Sequence, residues 1–176
     1  MVKKIVMVLL CTVLGNSLYA ENISTGKGFM GLEVGYATVQ GDVAGLSPEL
    51  DRDGDAVEYG LRLGSQTDEW RTILAFDYFD SSDDDQNVEK GYLMVDYFLL
   101  QGSESAFKPF IGLNVGYANY ESTLVEDNGF LYGGQVGVVA NVMENIDLDL
   151  SYRYSLSNAD ALDHVGSMVF GLNYFF

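Results

Sequence analysis

After the first twenty residues, apolar and polar positions alternate with a period of two in eight separate stretches. Successive strand side chains point to opposite faces, so each stretch predicts a β-strand with one apolar and one polar face. In the first, Met30, Leu32, Val34 and Tyr36 oppose Gly31, Glu33, Gly35 and Ala37. The second sets Val57, Tyr59, Leu61 and Leu63 against Glu58, Gly60, Arg62 and Gly64. In the third, Trp70, Thr72, Leu74, Phe76 and Tyr78 oppose Arg71, Ala75 and Asp77; in the fourth, Leu93, Val95, Tyr97 and Leu99 oppose Lys90, Tyr92, Met94 and Asp96. The fifth has Ile111, Leu113, Val115 and Tyr117 against Lys108, Gly112, Asn114 and Gly116. The sixth has Tyr132, Val136 and Val138 against Gly133, Gln135, Gly137 and Asn141. The seventh alternates Ile146, Leu148, Leu150, Tyr152 and Tyr154 with Asp147, Asp149, Ser151 and Arg153. In the eighth, Met168, Phe170, Leu172, Tyr174 and Phe176 oppose Ser167, Gly171 and Asn173. No window has the spacing of an amphipathic helix.

Eight stretches near ten residues match the span of tilted transmembrane strands. Alternation by itself fits two barrels: a soluble one with its apolar face inward, or a membrane one with that face outward. Three features favour the membrane form. The polar face is rich in Gly and carries both charge signs, which suits a narrow, self-neutralising interior. Aromatics gather at strand ends on the apolar face: Tyr36, Tyr59, Tyr78, Tyr117, Tyr132 and Tyr154 would ring one rim, and Trp70, Tyr97, Tyr174 and Phe176 the other. Such girdles mark membrane interfaces. The sequence also ends inside its last stretch, at Phe176.

Connections of alternating length follow. Long ones are expected over 40–54, 80–87, 121–128 and 157–163, and short ones over 66–68, 100–106 and 143–145. That asymmetry predicts an eight-stranded antiparallel up-and-down transmembrane β-barrel with periplasmic termini and outward-facing longer loops.

Residues 1–20 read as a cleaved secretory signal: Lys3 and Lys4, an apolar run from Ile5 to Leu14, and Gly15 to Ala20 before a polar stretch. The run spans ten residues, half of the ~20 that a membrane helix needs. Cys11 lies within this run after Leu10, where a lipoprotein signal would place a small residue. Residues 21–176 then form one domain without Cys, so thiol chemistry is not expected. Loss of Lys3 and Lys4 and of no acids moves the net charge from -17 to -19. No Lys/Arg cluster offsets this acidity, which argues against nucleic acid as a partner. With 48% apolar and 20% charged residues the chain is no disordered acidic tail.

The signal segment, the eight strands and the closing stretch Val169-Phe170-Gly171-Leu172-Asn173-Tyr174-Phe175-Phe176 resemble the small OmpA/OmpX-type outer-membrane barrels of Gram-negative bacteria. Lys108-Pro109-Phe110-Ile111-Gly112-Leu113-Asn114-Val115-Gly116-Tyr117 is similar to a strand-five signature of that group. The resemblance covers nearly all of residues 21–176. It implies outer-membrane location and contact with membrane lipid and lipopolysaccharide. It also implies a terminal signal for the barrel assembly machinery, here Phe170, Leu172, Tyr174 and Phe176. Nothing after Phe176 corresponds to the periplasmic domain of the two-domain members, and a monomer is expected.

Candidate chemistry centres on the inward-facing charges: Glu33, Glu58, Asp77, Asp96, Asp147 and Asp149 with Arg62, Arg71, Lys90, Lys108 and Arg153. Six acids against five bases nearly cancel, and an eight-stranded interior is just wide enough for side chains to fill. A lone buried ion costs several kcal/mol, so these groups are expected to pair and plug the lumen. A narrow ion or solute path is the alternative.

Fifteen of the 26 acids lie in or beside the predicted outer loops: Asp42, Glu49, Asp51, Asp53, Asp55, Asp80, Asp83, Asp84, Asp85, Glu89, Glu121, Glu126, Asp127, Asp160 and Asp163. They predict a polyanionic outer end that binds divalent cations loosely at most. Asp51-Arg52-Asp53-Gly54-Asp55 lacks the calcium-loop spacing, because its Gly falls fourth and Arg62 stands at position twelve. Within the resembling group, the lipid A deacylases pair a His with a Ser on the lipid-facing wall. The sole His, His164, lies three residues before Ser167, an odd separation that puts the two on opposite strand faces. A lipid A-modifying enzyme is therefore a third reading, behind an envelope-supporting barrel and a narrow pore. No catalytic, cofactor or metal site is expected.

Overall fold

The computed structural model describes residues 26–41, 52–81, 86–100, 105–122, 126–159 and 162–176. All eight alternating stretches are strands: β1 (Lys27–Gly41), β2 (Arg52–Gln66), β3 (Trp70–Ser81), β4 (Gln86–Phe98), β5 (Phe107–Ser122), β6 (Glu126–Met143), β7 (Ile146–Ala159) and β8 (Leu162–Phe175). They pair in chain order, every pair antiparallel, and β8 closes on β1 through a ladder from Phe29↔Phe175 to Gln40↔His164. Closure leaves no unpaired edge, which is what a strand protein needs where water cannot satisfy its backbone.

The strands run past the apolar alternation. At 12–18 residues each, they exceed the ~9–11 that a tilted strand needs to cross a bilayer. The expected long connections shrink accordingly, because β5 reaches Ser122, β6 starts at Glu126 and β8 starts at Leu162. Backbone pairing has no need of an apolar face, so the ladders continue where side chains are polar on both sides. Of the fifteen outer acids, Asp53, Asp55, Asp80, Glu89, Glu121, Glu126, Asp127 and Asp163 thus belong to strand ends. Asp53-Gly54-Asp55 is extended strand paired with Thr38 to Gln40. The signal segment 1–20 and Asp42, Glu49, Asp51, Asp83, Asp84, Asp85 and Asp160 lie outside the described residues.

The expected contrast of long and short links is not kept at the other end: three residues join β2 to β3 and two join β6 to β7, but eight join β4 to β5, more than follow β3, β5 or β7. The Thr67 N–H donates to the Trp70 carbonyl and the Trp70 N–H donates to the Thr67 hydroxyl oxygen, which fixes the turn that launches β3. Pro109, which has no N–H to donate, is the third residue of β5, near a strand start where Pro is tolerated.

The two faces divide as the alternation predicts. Outward side chains such as Leu32, Leu61, Leu113, Val136 and Leu172 are exposed, and this apolar belt circles the whole barrel. So large an exposed apolar surface suits lipid, not water. The packed core is the lumen.

Candidate functional site: the barrel lumen

Ten of the eleven predicted lumen charges are buried, and Lys108 is half-buried. Seven ion-pair contacts join nine of them, and five of these contacts link strands that are not neighbours in the sheet. Asp149 is the hub. Its Oδ2 accepts Arg62 Nη1 at 2.6 Å, Asn173 Nδ2 at 2.8 Å and Arg71 Nη1 at 3.1 Å. Arg62 also holds Glu33 through Nε. Glu33 in turn accepts Arg153 Nη2 at 3.1 Å, while Arg153 Nη1 donates to Asp77 at 2.7 Å. Arg71 reaches Asp96 at 2.9 Å through Nε, and Gln135 donates to the other oxygen of Asp96 at 2.5 Å. One continuous network thus holds four carboxylates (Glu33, Asp77, Asp96, Asp149) and three guanidiniums (Arg62, Arg71, Arg153). Lys90 and Glu58 form a separate pair.

Glycine makes these crossings possible. Arg62 on β2 and Asp149 on β7 meet over Gly171 on β8, where a Cβ would stand 2.8 Å from Arg62 Cζ and 2.9 Å from Asp149 Oδ2. Asp96 and Gln135 likewise meet over Gly112 of the intervening strand, where a Cβ would lie 3.1 Å from Asp96 Cγ. A side chain at Gly171 would occupy the space that the Arg62–Asp149 ion pair uses, and one at Gly112 the space of the Gln135–Asp96 hydrogen bond.

The structure leaves Asp147 and Lys108 out of the ion pairs found among the described residues. Asp147 accepts Asn141 Nδ2 at 2.7 Å and Gln66 Nε2 at 3.4 Å. Lys108 Nζ lies 6.0 Å from the Phe98 ring centre, at the outer limit of a cation–π contact. Both residues line a cavity of about 520 Å³ at the barrel mouth beside Phe175, where Lys27, Asp68, Glu69 and Glu144 bring further charge.

Between this mouth and the ion network lies an aromatic layer that the sequence reading did not single out. Phe29 packs on Phe175 with ring centres 5.3 Å apart, and Phe98 meets Phe110 edge-on at 6.3 Å. Arg71 lies over Phe110 at 4.6 Å and Arg153 over Tyr92 at 4.8 Å, so rings back the guanidiniums from both ends. The signal was available: all four Phe share the parity of inward residues on their strands. Beyond Tyr92, Ser155 Oγ donates to Asn114 at 2.8 Å, and Ala37, Val88, Ala118, Leu131 and Val165 are buried.

The girdle residues Tyr36, Tyr59, Trp70, Tyr78, Tyr117, Tyr132 and Tyr154 are exposed on the outer face, as are Phe170, Leu172, Tyr174 and Phe176 of the last strand; Tyr97 is partly covered by Trp70. His164 also faces outward, its ring 5.3 Å from that of Tyr154, whereas Ser167 is buried in the lumen. The β7–β8 register shift falls between Leu156 and Ala159 on β7, and β8 pairs continuously with β1 from His164 to Ser167. The two residues therefore stand on opposite faces of the wall.

No protein-family model and no curated protein matches this sequence. Solved structures do match its fold. Neisserial surface protein A is 16% identical, with a TM-score of 0.66 over 85% of this chain and 97% of that one. The N-terminal β-barrel domain of OprF from Pseudomonas aeruginosa is 13% identical, with a TM-score of 0.58 over 85% of this chain and 100% of that one. Outer membrane protein H of P. aeruginosa, solved in DHPC micelles, is 22% identical, with a TM-score of 0.57 over 85% and 99%. The fold is that of the small eight-stranded outer-membrane barrels.

Proposed function

We propose that this chain is an integral outer-membrane protein with a closed lumen. Its role is structural: to support the envelope and hold an acidic outer end at the cell surface. The observation that supports this reading is the packing inside the barrel, where cross-barrel ion pairs rest on a layer of phenylalanines and each charge of the central network is paired. Such a network holds the wall from inside and blocks passage, because moving an ion past it requires breaking buried pairs. The apolar belt and aromatic rims support membrane insertion. In this orientation both termini and the links after β2, β4 and β6 face the periplasm, and Phe170, Leu172, Tyr174 and Phe176 serve as the assembly signal. The acidic strand ends face outward, where divalent cations bridge them loosely to lipopolysaccharide.

Purified protein in planar bilayers tests the closed lumen. No steady channels are expected; reproducible nanosiemens-scale conductance from the folded protein would refute it. A deletion strain is expected to be sensitised to detergent and chelator while its lipid A keeps an unchanged acylation pattern.

A further inference from the structure

The lipid-facing wall carries a furrow of about 580 Å³ that crosses from β3 to β7. Its floor follows one ladder, Val95↔Leu113↔Gly134↔Tyr154, in which Gly134 is an outward position with no side chain. A side chain at that glycine would need a shift of only a few tenths of an ångström. A Cβ there would meet only the Gly112 carbonyl oxygen, at 3.1 Å, whereas one at the adjacent Gly133 would collide with the β7 backbone. The walls are held apart by contacts elsewhere. Trp70 and Tyr97 pack against each other on one side, ring centres 4.8 Å apart and tilted by 56°. On the other, the Tyr152 hydroxyl leans over Gly166, 2.9 Å from where its Cβ would stand, and Tyr154 leans on His164. The furrow is therefore preformed, as binding sites usually are.

Its course suits one linear ligand. The foot is at Trp70, the first residue of β3, at the barrel end where Phe176 lies. The head is at Tyr154, eight residues along β7 from the same rim. At ~3.3 Å per residue and a tilt of ~40°, that is a climb of about 20 Å, roughly two-thirds of the ~30 Å hydrocarbon thickness and about the length of one extended acyl chain. Beside the foot stand two exposed carboxylates, Asp68 and Glu69. They suit a headgroup that carries an ammonium.

We propose that this furrow is a binding site for one acyl chain of a periplasmic-leaflet phosphatidylethanolamine, with its headgroup beside Asp68 and Glu69 and its tail lying over Gly134. The site rests on the membrane orientation proposed above. Lipid there is held in preference to the lipid around the rest of the barrel, because the chain touches protein on three sides and gains dispersion contacts that a flat wall cannot offer.

Trp70 is the only tryptophan of the chain and lines the furrow, so its fluorescence reports occupancy directly. Full-length mature protein is reconstituted into phosphatidylethanolamine/phosphatidylglycerol vesicles in which a rising fraction of the phosphatidylethanolamine carries a brominated, quenching chain. Half-maximal quenching is expected at roughly a tenfold lower brominated fraction in the wild type than in Gly134→Phe, the ratio that a preference of about 1.4 kcal/mol would give. Leu113→Phe, which fills the same floor from a side chain already facing out, is expected to behave like Gly134→Phe, and Leu61→Phe on β2 like the wild type. Identical quenching curves for wild type and both furrow variants would overturn the proposal. So would equal quenching by brominated phosphatidylglycerol at low fraction, or a Gly134-dependent dimer on cross-linking. Absence of quenching at every fraction would instead refute membrane insertion itself.

Discussion

The lumen network has a charge asymmetry that makes a quantitative prediction. Four carboxylates face three guanidiniums, so removing a base and removing an acid are not equivalent. Arg62→Met keeps most of the apolar stem but leaves four carboxylates to two cations. Asp149 then retains only Arg71 at 3.1 Å and the neutral Asn173, and Glu33 retains only Arg153 at 3.1 Å. Breaking a buried pair from one side costs about 3–5 kcal/mol, and the growing excess of negative charge puts this variant in that range. Asp149→Asn keeps the shape and brings the network to three against three. Arg62 keeps Glu33, Arg71 keeps Asp96, and the loss is that of charge-assisted hydrogen bonds, about 1–2 kcal/mol. The expected gap of about 2 kcal/mol is roughly a thirtyfold difference in folding equilibrium. Urea titration of vesicle-reconstituted protein measures it. Trp70 fluorescence and the mobility of unheated samples on gels follow the folded fraction. If Asp149→Asn proved as costly as Arg62→Met, or Arg62→Met stayed within about 1 kcal/mol of wild type, the network would not be the element that braces this barrel.

Other expectations can be checked with the same assay. Lys90→Met, which strands the buried Glu58, should cost about 3–5 kcal/mol, whereas Lys108→Met should cost under about 1 kcal/mol because it loses only a distant ring contact. Gly171→Ala puts a methyl group into the Arg62–Asp149 crossing and should lose about 1–3 kcal/mol, and thermal melts should show it less stable than Gly134→Ala. Raising salt from 0.1 to about 1 M should leave the melting temperature of the wild type nearly unchanged, since buried pairs are poorly screened; a steep fall would mean that the network is open to solvent. Deleting Phe176 should lower the amount of assembled barrel in cells with little change in the stability of protein refolded in vitro, because its ring is mostly exposed and its contacts, a backbone N–H bond and a ring edge, both fall on Gly28.

Much of the fold was legible because strand alternation is a local property. One residue in two faces the lumen, so Glu33, Arg62, Asp149 and the other inward charges could be assigned to a face without knowing any partner, and closure into eight strands followed from their number and spacing. The strand ends were less legible. Beyond the apolar band the ladders rest on backbone hydrogen bonds, which leave no period in the side chains at Ser122, Glu126 or Leu162. Partner choice lay further out of reach. Lys90 stands opposite Asp77 in the ladder, yet its ammonium crosses to Glu58, while Asp77 takes Arg153 from the far wall. Those pairings depend on the stagger of a closed, tilted sheet and on which glycines leave room to cross it. The furrow is likewise absent from any one strand, because it exists only where five strands place Trp70, Tyr97, Leu113, Gly134 and Tyr154 side by side. The one-dimensional pattern determines which face each residue occupies; only the closed barrel decides which residues meet, because contact depends on register and curvature that no single strand encodes.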